Sequence, residues 1–262
     1  VDSAEKLISR FRPVLRAGAS PASSRDDAPA EHAELLHQLC TADGLLELLD
    51  WTRQGLGADP LACMWLGSLR WYRVITGSCP ASAPQPPTRV VDEELLRMRR
   101  EEKLPLRSDS ASGGLAGLSA GEMAYPSAPA QPESADARAL LRAVPVGLVP
   151  YIDEPMRRAW ARQTVALTHG HPELLRRAEE LAMLVHELAS AEETTSLADR
   201  TAQSRRDILE WVDDAEIREI LQRQLDAATD PGQPAPESSG GHRLAEVIDL
   251  LAQQWEEVTR PR

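Results

Sequence analysis

Apolar residues recur at three- and four-residue steps along most of this chain, the spacing that gives an α-helix one buried face. Residues 3–17 place Leu7, Ile8, Phe11 and Leu15 on one side, and residues 44–56 do the same with Leu45, Leu46 and Leu49, with Trp51 nearby. The pattern continues over 60–75 (Leu61, Met64, Trp65, Leu69, Tyr72), over the charged block 91–103 (Leu95, Leu96, Met98) and over 154–167. Its clearest stretch is 172–190, where Pro172 suits a first helical position and Leu174, Leu175, Ala178, Leu181, Ala182, Val185 and Leu188 form a continuous stripe. Residues 203–228 read as one long amphipathic helix through Ile208, Trp211, Ile217, Ile220, Leu221 and Leu225. Residues 242–258 read as another, through Leu244, Val247, Ile248, Leu251 and Trp255.

Segments rich in Pro, Ser, Gly and Ala separate these blocks at 18–30, 76–90, 104–135 and 229–241. Connections that long are uncommon inside compact domains and mark either a functional cover or a linker. No repeat of solenoid period is present. Leu and Ala dominate the apolar residues and there is a single Phe, so helix propensity is favoured over strand throughout. The expected architecture is all-α: a single orthogonally packed helical bundle over residues 1–262.

A formal charge of −12 disfavours nucleic acid, whose phosphates require an extended basic surface. Cys40, Cys63 and Cys79 are odd in number and lack metal-site spacing, so they read as reduced thiols. No apolar run has the length of a membrane span and the first residues lack a signal-peptide core. The location expected on these grounds is cytoplasmic. The chain begins with Val rather than Met, as a processed, trimmed or non-standard start would.

The most specific stretch lies between Ala139 and Leu188. An R-x-x-P-x-G-L turn (Arg142, Pro145, Gly147, Leu148) is followed, one helix later, by T-H-x-H-P (Thr168, His169, His171, Pro172). That order and spacing resemble the middle of the ADP-ribosylglycohydrolase family, the hydrolases related to dinitrogenase reductase-activating glycohydrolase. The resemblance extends, less specifically, over 41–76 and 136–257, including the L-R-W-Y segment at Leu69–Tyr72. It implies hydrolysis of a glycosidic bond between ADP-ribose and an acceptor, with two Mg2+ ions holding the ribose diol and a water. Its partners would be ADP-ribose or an ADP-ribosylated protein, and its ligand contacts here would be Arg142, Thr168 and His169.

Mg2+ requires close to six oxygen ligands, so carboxylates must converge from separate helices. The resemblance implies an early T/S-D-D-T motif at a helix start, which aligns with Thr41-Ala42-Asp43-Gly44 and leaves Thr41 and Asp43 as the candidate metal ligands. The second motif, D-x-D-[ST], does not occur in residues 229–262. A glycine turn that would approach the diphosphate is replaced by Asp136-Ala137-Arg138. Each candidate also has a purely structural reading. Asp43 and Asp136 suit helix N-termini, Arg142 an ion pair, and His169 a capping or packed residue. His171 suits the cap of the helix opening at Pro172, and Asp213-Asp214 a solvated mid-helix face.

No phosphate-binding G-x-x-x-x-G-K loop and no H-E-x-x-H is present. The sequence thus predicts an ADP-ribosylglycohydrolase-like protein with hydrolysis impaired or lost, a pseudoenzyme. The alternatives are a non-catalytic ADP-ribose-binding module and a helical interaction scaffold.

Overall fold

The structure is a computed structural model, and it describes residues 2–19, 30–191, 195–230 and 244–260, with the backbone alone for 195–200. Among the described residues there are eleven α-helices and no strand, only isolated bridges such as Glu31 with Leu106. In chain order these are α1 (Ser3–Ala19), α2 (Ala33–Arg53), α3 (Pro60–Thr76), α4 (Val90–Arg100) and α5 (Ser112–Leu118). A 3-10 turn (Ala137–Arg142) leads into α6 (Ala143–Gly147), α7 (Glu154–Ala166) and α8 (Pro172–Ser190). The last three are α9 (Thr195–Trp211), α10 (Ala215–Thr229) and α11 (Ala245–Thr259). The all-α expectation holds.

Helices α2 and α8 are the interior members. Helix α2 packs on α1, α3, α4, α6 and α11, and α8 packs on α1, α6, α7, α9 and α10. Every residue of α2 from Ala33 to Leu48 is buried. This moves the helix start from the expected position 44 back to 33: a helix covered on all sides carries no polar stripe, so the periodicity over 33–43 is invisible. Thr41-Ala42-Asp43-Gly44 is therefore helix interior, and the reading of Asp43 as a helix N-terminus is corrected. His32 caps α2 instead, its ring nitrogen accepting from the Glu34 amide at 3.2 Å.

The expected helix 203–228 is two. Helices α9 and α10 are parted at Val212–Asp214, where the Asp214 carboxylate accepts from the amides of Glu216 (3.0 Å) and Ile217 (3.2 Å). The Asp pair thus marks a break rather than a mid-helix face, because its carboxylate offers the backbone a cap. Asp136 does cap the 3-10 turn as expected, accepting from Arg138 N at 3.1 Å. His171 caps α8 through Glu173 N at 3.3 Å.

Much of the segment 104–135 folds onto the body and contains α5, whereas 20–29 and 231–243 lie outside the described residues. The main apolar core draws on residues from α1 through α11. At its edge Phe11 of α1 stacks on Trp255 of α11, ring centroids 4.1 Å apart. Cys40, Cys63 and Cys79 are free and buried, and burial pushes the Cys40 and Cys63 thiols up, Cys63 to about 11. Among the described residues no helix is long and apolar enough to cross a membrane.

Candidate functional site

Three elements meet beneath α5: the first turns of α2, the 3-10 turn, and the loop that joins α7 to α8. Gln38 of α2 ties the first two together by donating to the Leu141 carbonyl at 2.7 Å. The 3-10 turn ends in Arg142, which is completely buried. Its guanidinium donates to the Thr164 carbonyl (3.0 Å) and to the Thr168 hydroxyl (2.7 Å). Thr168 lies 2.6 Å from His169 Nδ1. Arg142 can only donate and its NH2 also lies 3.4 Å from Nδ1, so Nδ1 accepts and the His169 ring carries hydrogen on Nε2. The three predicted ligand contacts are thus brought together, but they face one another inside the protein.

Sequence reasoning missed the other half of this cluster. Glu34 and His37, one turn apart on α2, are both buried. Glu34 Oε2 lies 3.4 Å from Arg142 Nε and 3.6 Å from His37 Nδ1. His37 stacks on Trp71 at 4.1 Å and its Nε2 meets Ser68 Oγ at 3.0 Å. The Ser68 hydroxyl also reaches the Met64 carbonyl at 3.0 Å, and a His37 proton carried on Nδ1 would face Glu34. The one available signal was an Asp/Glu/His spacing of three (Glu34, His37) inside a very apolar segment.

The electrostatics follow from burial. Burial works to raise the Glu34 carboxyl, yet Arg142 and then His37 overcome it and hold it at about 2. Burial and then Arg142 depress His37 to about 4. Burial likewise depresses His186 to about 4. Although burial opposes it, contact with His169 and Arg138 keeps the Asp136 carboxyl well below the usual carboxylate range. At 3.7 Å the Asp136–His169 pair is longer than a hydrogen bond.

The two lowered histidines make the protein acid-labile. An unfolded His binds its proton near pH 6.5, whereas these stay neutral in the native state down to about 4. The unfolded state therefore holds more protons between those limits. The resulting stability is complete above about pH 6.5 and is lost as pH falls toward 4. Below about pH 4.5, protonation of Glu34 in the unfolded state adds a second loss. Urea denaturation at pH 5 should show roughly 2 kcal/mol less stability than at pH 7 from His37 alone. In His37→Gln the slope should flatten, and an unchanged slope would show that His37 is not the group responsible.

The predicted metal ligands are not brought together. Two residues apart in a helix, Thr41 and Asp43 point about 200° from one another. Thr41 Oγ1 is buried without a hydrogen-bond partner. The Asp43 carboxylate, on the side facing α3 and α4, accepts from Arg89 Nε at 2.7 Å and lies 3.9 Å from Arg70 NH1. Burial raises that carboxyl against the opposing pull of Arg89 and Arg70, while Asp43 outweighs burial to raise the Arg89 guanidinium and hold it cationic. Arg70 also bonds Glu47 at 2.8 Å, and Arg73 bonds Asp92 at 2.6 Å. Guanidinium–carboxylate pairs thus hold one oxygen of Asp43, while Asp43 Oδ1, Arg70 NH2 and Arg73 Nε are buried without a hydrogen-bond partner.

Gly44 has its own cause. A Cβ there would stand 2.6 Å from the Cys63 carbonyl oxygen, and one at Gly67 would meet the Cys40 carbonyl in the same way. Helices α2 and α3 touch backbone to backbone, which leaves no room for the motif's final hydroxyl.

An ADP-ribosylglycohydrolase family model matches residues 30–256. The chain belongs to the ADP-ribosylglycohydrolase family. No curated protein and no solved structure matches it significantly. Membership implies a divalent cation, and the donor set can be tested for it. Among the described residues no group of three or more His, Cys, Asp and Glu side chains converges to hold a metal. The one carboxylate of the early motif already has a cation, the Arg89 guanidinium. The donors among the described residues do not fit the metal pair.

Proposed function

We propose that this chain is a family member that keeps the helical body and does not perform metal-dependent hydrolysis of ADP-ribose linkages. One observation carries the reading: Asp43, the surviving acidic position of the early motif, is neutralised by Arg89 at 2.7 Å and backed by Arg70. A hard cation needs carboxylate oxygens free to converge on it. A guanidinium seated in their place supplies positive charge but no open coordination position.

The test is release of ADP-ribose from a modified protein with and without Mg2+. No Mg2+-dependent release is expected from the wild type, nor from Ala42→Asp, which restores the missing acid; release by the wild type would overturn the reading. Ala42 is fully buried, so an Asp there is expected to destabilise the fold instead.

A second reading, a non-catalytic ADP-ribose-binding module, has its own support. Glu34 Oε2, His37 Nδ1, Arg142 Nε and His169 Nε2 are all buried and without a hydrogen-bond partner. Glu34 Oε2 and Arg142 Nε face one another at 3.4 Å as an ion pair, but His169 Nε2 is 3.7 Å from Asp136, and a buried donor left unmatched calls for a water or a ligand. Calorimetry with ADP-ribose separates this reading from an interaction scaffold, for which the titration would be flat.

A further inference from the structure

We propose that α5 is a removable cover over the Arg142–Thr168–His169 cluster, and that ADP-ribose enters only when α5 moves away. The proposal rests on the binding reading given above and adds its regulation.

The first argument is steric. Helix α5 reads SGGLAGL, and its three glycines face the cluster. A Cβ on Gly113 would stand 2.8 Å from His169 Nε2 and 3.0 Å from Asp136 Oδ2. One on Gly114 would stand 2.6 Å from Trp71 and 3.1 Å from Glu34 Oε1, and one on Gly117 would stand 2.6 Å from the Thr168 backbone. The backbone of α5 therefore lies in the space a ligand would need in front of these residues. Only glycine permits that approach.

The second argument is that α5 is weak as a helix. It has seven residues and no side-chain cap at its N-terminus. Glycine inside a helix costs about 1 kcal/mol relative to Ala, and a helix this short does not hold without tertiary contacts. One side chain ties its start to the body, the Gln131 amide donating to the carbonyls of Gly113 (2.9 Å) and Thr168 (2.6 Å), and Leu118 buries its end in the core. Left-handed backbone flanks α5 on both sides, at Asp109 (φ 57°) and Gly121 (φ 70°).

The third argument is the chemistry underneath. His169 Nε2 lies buried under Gly113 without a hydrogen-bond partner, 3.7 Å from Asp136 Oδ2, with the Arg142–Glu34 ion pair beside it. That donor suits a phosphate or hydroxyl oxygen, and a cover made of glycine backbone does not satisfy it.

The experiment combines hydrogen exchange over residues 112–118 with ADP-ribose calorimetry on the full chain, for the wild type and Gln131→Ala. Apparent affinity scales with the fraction of open molecules. Gln131→Ala is therefore expected to speed exchange across α5 and to tighten ADP-ribose binding by about tenfold or more, and saturating ADP-ribose should speed α5 exchange in the wild type. If Gln131→Ala leaves exchange unchanged, Gly117→Val forces the separation, with circular dichroism as the check on folding. Binding of ADP-ribose to the wild type with α5 exchange unaltered would overturn the cover alone. An opened α5 with no ADP-ribose binding would overturn the binding reading and the cover with it, leaving the absence of hydrolysis untouched.

Discussion

Replacing Arg142 with Met is expected to destabilise the protein by about 3–5 kcal/mol, the cost typical of breaking a buried ion pair from one side. The side chain has no solvent exposure and donates to the Thr164 carbonyl and the Thr168 hydroxyl, with Nε 3.4 Å from Glu34. Met fills much of the volume but supplies no donor and no charge. Glu34 would then be a buried carboxylate without its main counter-charge, and its carboxyl, now near 2, would rise steeply. Urea denaturation measures the loss. Adding Glu34→Gln in the same chain should recover part of it, because the coupling between the two is what the single substitution breaks. A loss below about 1 kcal/mol would place Arg142 in the class of screened surface pairs and refute the burial argument.

Restoring the motif hydroxyl with Gly44→Thr is the second large effect, and its sign opposes what sequence alone suggests. On the pattern of the family it would repair a ligand. In the structure, a Cβ at position 44 meets the Cys63 carbonyl at 2.6 Å, with the Met64 Cα at 3.4 Å. Those are backbone atoms of α3 and cannot rotate aside. Overpacking of a core typically costs 1–3 kcal/mol, and about 3 kcal/mol or more is expected where backbone must shift. Thermal unfolding should show a clearly lower midpoint with no stabilisation by Mg2+. A Gly44→Thr protein that is as stable as the parent, or that gains stability with Mg2+, would refute the close α2–α3 contact.

Helices with one solvent face were legible in the chain. Residues 172–190 carry a stripe of Leu, Ala and Val against Arg and Glu, and the helix lies at Pro172–Ser190. What could not be read was whatever the interior hides. Helix α2 is surrounded, so the residues before Asp43 show no alternation, and the early motif looks like a helix start when it is a helix middle. The break between α9 and α10 was masked for the opposite reason. Its flanks keep helical spacing across Val212–Asp214, and only the Asp214 side chain, capping Glu216 and Ile217, interrupts the ladder. At the site, Arg142, Thr168 and His169 were found from the order of their motifs. Glu34, His37, Arg70 and Arg89 were not, because ion pairing between residues distant along the chain leaves no local spacing to detect. The covering role of α5 was equally hidden: a Gly-rich segment reads as a loop until its neighbours are known.

The stacking of Phe11 on Trp255 joins the first helix to the last, and Arg16 of α1 bonds Asp249 of α11 beside it. During synthesis α1 emerges long before the surface that will receive its aromatic ring. Until α11 has cleared the ribosome, that ring and its neighbours Leu7, Ile8 and Leu15 lack part of their final cover, the kind of transient apolar exposure that invites chaperones and aggregation. Closure of this body therefore waits for α11, and it is slow for the helical content because the contact that completes it joins α1 to α11.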